Sequence, residues 1–378
     1  MANTSGVTEV SGTAGVAVAE RVAAAHSMWL STLPTIRRAP VAELVPLAEP
    51  VTAPMVTVAG AVAAGHGPIS DMAVSRDGRC LVAAHYGADV VSIVDTATLS
   101  VTATVTNVAE PYAVAVADRA YVSTASTDDE SVVAIDTTTG VAFAAKDIDA
   151  CARALAVSPA GDVLYVARTG DDLPDIAAID IESGATRVIA IPAAPGASIE
   201  ALRVSADGTR LFAALTTVTG GTLLIIDTRS RAVERAVAIA GSIGDIAATP
   251  NGRKVFATGW DAELGGVVNV IDVAVARVTD TIGIGGMPTQ LVIGHGGELA
   301  YVVDRNQVVV LCATTNEIVD TIPAGGQLSC LASGPDGRLY IADYAGGISV
   351  LQVGGAGTDS ALLELMTAEL PQLAVAAF

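Results

Sequence analysis

The run Tyr301-Val-Val-Asp304 returns as Tyr121-Val-Ser-Thr124, Tyr165-Val-Ala-Arg168 and Tyr340-Ile-Ala-Asp343. Degenerate copies read Leu81-Val-Ala-Ala84, Leu211-Phe-Ala-Ala214 and Val255-Phe-Ala-Thr258. Seven runs spaced roughly 40–47 residues apart mark a blade-type repeat array. The first repeat shows the unit. Gly67–Ser75 is a short first strand, and Arg76-Asp-Gly-Arg79 is a hairpin turn in which Gly78 supplies a positive φ. Cys80–Ala84 is a second strand, His85–Asp89 a loop and Val90–Val94 a third strand. Asp95 opens a second turn with an Asx-type bond, and Val101–Val105 alternates Val with Thr as an outer strand.

The turn glycine returns at Gly161, Gly208, Gly252, Gly297 and Gly337, while the second repeat has the shorter Ala117-Asp-Arg119. The strand-ending aspartate returns at Asp136, Asp180, Asp227 and Asp272, gives way to Cys312 in the sixth repeat, and falls near Gln352 in the seventh.

Tyr301-Val-Val-Asp304, Val90-Val-Ser-Ile-Val-Asp-Thr-Ala-Thr98 and Ser205-Ala-Asp-Gly208 together resemble the YVTN-type repeat family of β-propellers. The resemblance spans residues 55–353 and implies an all-β, seven-bladed β-propeller of four-stranded antiparallel blades. It leaves function open, because this superfold carries lactonases, lyases, dehydrogenase subunits, surface-layer proteins and binding scaffolds. The seventh repeat supplies three strands, ending at Ile348–Val353, and Met55–Ala59 matches the missing outer strand. The expectation is a ring closed by that strand, which protects exposed sheet edges.

Three regions follow: 1–54, 55–353 and 354–378. The first combines helical spacing of Val18, Val22, Ala25, Trp29 and Leu33 with an arm carrying Pro34, Pro40, Pro46 and Pro50. The last reads as a helix over Ser360–Leu370, halted by Pro371. Both are expected to be short helical extensions that pack on the ring, or that dock a partner.

The chain has 378 residues, and its formal charge of −20 argues against nucleic acid or an anionic membrane as partner. No apolar run approaches the ~20 residues needed to span a bilayer. The N-terminal sequence lacks a basic segment followed by an apolar core, so a cytoplasmic protein is expected. Cys80, Cys151, Cys312 and Cys330 lack C-x-x-C spacing and are expected as buried thiols, with a Cys312–Cys330 disulfide or a thiol nucleophile as the alternatives.

By analogy with other propellers, ligands favour the face carrying the loops between second and third strands. That face receives Asp128, Asp129, Glu130, Asp171, Asp172, Asp175, Asp261 and Glu263, whereas most arginines fall on the hairpin face. An acidic face would attract cations or a basic partner. Nearer the channel, second strands end at Arg168, Asp304 and Asp343, and first strands open on Asp71, Tyr112, Arg153, Glu200, Asp245, Gln290 and Ser329. Asp71, Asp245 and Gln290 depart from the repeat, which has small residues there, and polar departures are the stronger candidates. Asp304, Asp343, Asp71 and His85, with His66 nearby in sequence, fall on blades six, seven and one. This sector could hold a divalent metal, or could cap strand ends.

No P-loop, G-x-S-x-G elbow, H-E-x-x-H or haem attachment sequence occurs. The leading expectation is therefore a non-enzymatic scaffold that engages a protein or small ligand on its acidic face. The alternative, implied by the resemblance, is a metal-assisted lactonase or lyase with its site at blades six, seven and one.

Overall fold

A computed structural model describes residues 54–126, 130–148, 150–169 and 173–354. The expected terminal helices, the proline arm, and Asp128, Asp129, Asp171 and Asp172 lie outside the described residues. Within them, seven four-stranded antiparallel sheets follow one another. Blade 1 contains Asp71–Val74, Cys80–His85, Val90–Asp95 and Ser100–Thr106, in that spatial order. Blades 2 to 6 repeat this meander. Blade 7 contains Leu328–Ser333, Arg338–Asp343 and Gly347–Gly354, and its outer strand is Met55–Ala63.

The closing strand pairs Val56 with Val353 and Val62 with Ile348. It runs four residues beyond the expected Met55–Ala59, because a bulge between Val58 and Gly60 resets the register and lets pairing continue. Packing seals the same joint. Val62, Cys330, Tyr340 and Ile348 of blade 7 share a core with Ile69, Met72, Leu81 and Val94 from the blade 1 side. Arg338 also donates to the Thr96 carbonyl at 2.6 Å.

Strand pairing corrects the frame of the degenerate repeats. Tyr121, Tyr165, Tyr301 and Tyr340 sit opposite Ala115, Ala156, Val292 and Ala332. The residues in the same place elsewhere are Val82, Phe212 and Phe256, opposite Ala73, Arg203 and Ala247. The copies expected to begin at Leu81, Leu211 and Val255 thus begin one residue later. Apolar residues on both sides of each start hid the offset, since buried strands lack strict alternation. In the corrected frame His85, not Ala84, is the blade 1 equivalent of Asp304 and Asp343.

The turns follow their sequence signals. Gly78, Gly161, Gly208, Gly252, Gly297 and Gly337 all have positive φ. Asp95, Asp136, Asp180, Asp227 and Asp272 each accept a backbone N–H three residues on. Cys312 does the same work in blade 6, its Sγ accepting from the Thr315 N–H at 3.5 Å. All four cysteines are free thiols, so the Cys312–Cys330 disulfide does not form. Among the described residues no helix is long and apolar enough to cross a membrane.

Candidate functional site

Each inner strand begins at the face that carries the loops between second and third strands. Backbone bonds tie the two together: Ala125 N–H to Glu110 C=O, Leu328 N–H to Arg305 C=O, and Tyr344 N–H to Gln327 C=O. In blades 2 to 7 the inner strand carries a bulge near this end. A bulge re-aims a side chain. Pairing therefore sorts the polar residues at the strand starts into two tiers. Tyr112, Arg153, Glu200 and Ser329 fall at the bulge and form the upper tier. Asp71, Asp245 and Gln290 lie one residue further along.

The lower tier stitches blades together. Asp71 Oδ2 accepts the Val114 N–H of blade 2 at 2.8 Å. Gln290 Nε2 of blade 6 donates to Asp71 Oδ1 at 3.1 Å, and its Oε1 accepts the Leu331 N–H of blade 7 at 2.6 Å. Asp245 Oδ2 accepts the Leu291 N–H of blade 6 at 3.0 Å, and Oδ1 accepts from Arg203 of blade 4 at 2.9 Å. Burial pushes the Asp71 carboxyl up to about 6, against its bonds to Val114 and Met72 and the charge of Arg203. Burial likewise raises Asp245, with Arg203 opposing. These three departures from the repeat are latches between blades.

The sector that could hold a metal is divided among separate hydrogen bonds. His85 is fully buried, with Nδ1 3.2 Å from the Gly67 carbonyl and Nε2 2.9 Å from Ser92 Oγ. A ring that donates to Gly67 has Nε2 left to accept from Ser92, and burial lowers its pKa, which favours the neutral form. Asp304 accepts the Met287 N–H at 2.6 Å and Gln307 Nε2 at 3.1 Å. Gly286 is required beside it, since a Cβ there would fall 1.9 Å from Asp304 Oδ1. Asp343 accepts the Ala345 and Gly347 N–H groups, both at 2.9 Å. Among the described residues no three His, Cys, Asp or Glu side chains gather as a metal-holding group. Each of the four named side chains is engaged in hydrogen bonds of its own.

The expected acidic face is partly neutralised. Arg168 makes two parallel bonds to Asp175, each 2.7 Å. Asp261 caps its own turn through the Glu263 and Leu264 N–H groups.

The upper tier forms a mouth over the channel. Arg153 of blade 3 lies 3.4 Å from Glu200 of blade 4 and is held above its ordinary pKa against burial, by Glu200 first and then Tyr112. Ser70 donates to the Pro111 carbonyl at 2.9 Å. Around this tier stand three tyrosines. Tyr86 and Tyr112 meet edge to face, with ring centroids 6.4 Å apart and planes at 79°. The Tyr86 hydroxyl donates to Glu110 Oε2 at 3.1 Å. Tyr344 is half exposed, and its pKa is raised by burial, then by Cys330 and Tyr112. Sequence reasoning found Tyr112 but missed Tyr86 and Tyr344. The available signal was simple: of seven tyrosines, four belong to the repeat, and these two with Tyr112 do not. The opposite end of the channel opens into a cavity of about 370 Å³ lined by Val74, Arg76, Pro250, Ile293, His295 and Pro335, among others.

Fold and channel define a seven-bladed β-propeller protein. The chain is 33% identical over 320 residues to the seven-bladed beta-propeller protein Rv1057 of Mycobacterium tuberculosis, covering 75% of this chain and 81% of that protein. It belongs to that protein's family. No family model matches the sequence. Among solved structures, Kuenenia stuttgartiensis hydrazine synthase aligns with a TM-score of 0.70 and 22% identity, over 78% of this chain and 98% of that one. The Myceliophteria thermophila Cps50 (Swd1) β-propeller domain aligns with a TM-score of 0.66 and 16% identity, over 80% and 100%. At these identities the two share the fold alone.

Proposed function

We propose that this chain is a binding propeller built from YVTN-type repeats, a scaffold that engages a ligand at the channel mouth on its loop face. The observation that carries this reading is the gathering of Tyr86, Tyr112 and Tyr344, the tyrosines the repeat does not use, around the Arg153–Glu200 pair. Partly exposed aromatic rings beside a few fixed polar groups are what a recognition site requires. The polar residues below already make interblade bonds, which leaves the mouth as the place where groups face outward. Affinity capture with the full chain tests this reading, comparing wild type with a Tyr112→Leu/Tyr344→Leu double variant of matched melting temperature. Species retained by wild type and lost by the variant are expected. Identical retention by both would move the site elsewhere.

A further inference from the structure

We propose that the channel mouth takes an organic cation, an alkylammonium group presented by a free small molecule or by a lysine side chain of a protein. This rests on the mouth being the ligand site.

Tyr86 and Tyr112 stand nearly perpendicular with centroids 6.4 Å apart, which makes a corner and not a parallel slot. A flat ligand stacks in a slot, whereas a compact rounded group fills a corner and meets two ring faces. Ring faces carry the negative lobe of the aromatic quadrupole and attract cations. Tyr344, half exposed on blade 7, lies within electrostatic reach of Tyr112.

Local charge points the same way. Glu110 lies at the corner, accepting from the Tyr86 hydroxyl, and its N–H is capped by Asp89 Oδ1 at 2.8 Å. Burial raises the pKa of Cys151, beside the mouth, and Glu130 is close enough to raise it further. Among the described residues no Lys, Arg or His forms an ion pair with Asp89, Glu110 or Glu130. The mouth's own cation, Arg153, is matched by Glu200. An anion would therefore meet uncompensated carboxylates, and a cation would relieve them. A net charge of −20 over the chain adds long-range attraction of the same sign.

Calorimetric titration of the full chain with tetramethylammonium tests the proposal, set against 3,3-dimethylbutan-1-ol as the uncharged group of the same shape. The cation is expected to bind at least about tenfold more tightly. Tyr86→Leu and Tyr112→Leu should each lose about tenfold, and Tyr112→Phe, which keeps the ring, should stay near wild type. Glu110→Gln should weaken binding severalfold and flatten its salt dependence. Circular dichroism confirms that each variant is folded. A trimethyl-lysine peptide that outbinds tetramethylammonium would support a protein-borne cation, and equal affinities a free one. Equal binding of alcohol and cation, or no dependence on Tyr86 and Tyr112, overturns the cation class. If the alcohol or acetate binds in a Tyr112-dependent way where the cation does not, the mouth stands as a site and only its ligand class falls. If no probe binds and affinity capture is also unchanged, the site reading falls with it.

Discussion

Asp71 shows how one side chain can couple the ring to pH. Burial holds its carboxyl at about 6 when folded, against an ordinary value of 3.8. The folded state thus binds this proton more tightly than the unfolded chain does. The protonated group's contribution to stability is fully present below pH 4 and is lost as pH rises through 6, by roughly 3 kcal/mol in all. Asp71→Asn removes the titration. The stability difference between wild type and this variant, from urea denaturation, should shift against wild type by about that amount between roughly pH 4 and 7. A constant difference across the range would show that Asp71 does not titrate there. At the hairpin face, Gly78 is constrained twice: φ is +72°, and a Cβ would sit 2.8 Å from Pro335 of the neighbouring blade. Gly78→Ala should cost on the order of 1–3 kcal/mol, read as a lower urea midpoint at unchanged slope. The sequence exposed Asp71, Asp245 and Gln290 as exceptions, because the other repeats carry alanine or cysteine in that place. Their partners were not legible, since a ring brings together residues as remote in sequence as Asp71 and Gln290.

At the scale of the element, the closing strand is where sequence did most and still fell short. The alternation of Met55–Ala59 matched an outer strand, which fixed the closure. The bulge at Gly60 then broke the alternation and concealed Gly60–Ala63. Those hidden residues include Val62, 4% exposed and packed in the core shared by blades 7 and 1. Val62→Asp places a charge in that core and should destabilise by about 3 kcal/mol or more. Val58, on the same strand but 50% exposed, is the internal control, and Val58→Asp should stay within ~0.5 kcal/mol. Thermal and urea unfolding of the two variants separate loss of closure from a general effect of charge on the strand. Equal losses would mean that the joint is not sealed through Val62. The mouth was less legible than the closure for a related reason. Tyr86 and Tyr344 lie in loops outside the periodic pattern, and only folding sets them beside Tyr112.

Across the whole molecule the two polar tiers complete one circuit. The lower tier runs from Arg203 of blade 4 through Asp245, Gln290 and Asp71 to the Val114 N–H of blade 2, touching blade 7 at Leu331. It passes by blade 3, whose place in that tier is taken by Ala154. The upper tier covers the gap through Tyr112, Arg153 and Glu200. The two tiers differ in strength. Asp245 is buried, whereas the Arg153 side chain is 43% exposed and its partner lies 3.4 Å away, so solvent and salt weaken that link. The ring should therefore open first beside blade 3. Native-state hydrogen exchange is expected to give lower opening energies for amides of Cys151–Val157 than for those of Leu328–Ser333, with the gap widening in high salt. Arg153→Met should lower blade 3 protection further and leave blade 7 unchanged. Equal protection of the two inner strands at every salt concentration would mean that apolar packing between blades holds the ring, and that the polar circuit adds nothing to its cooperativity.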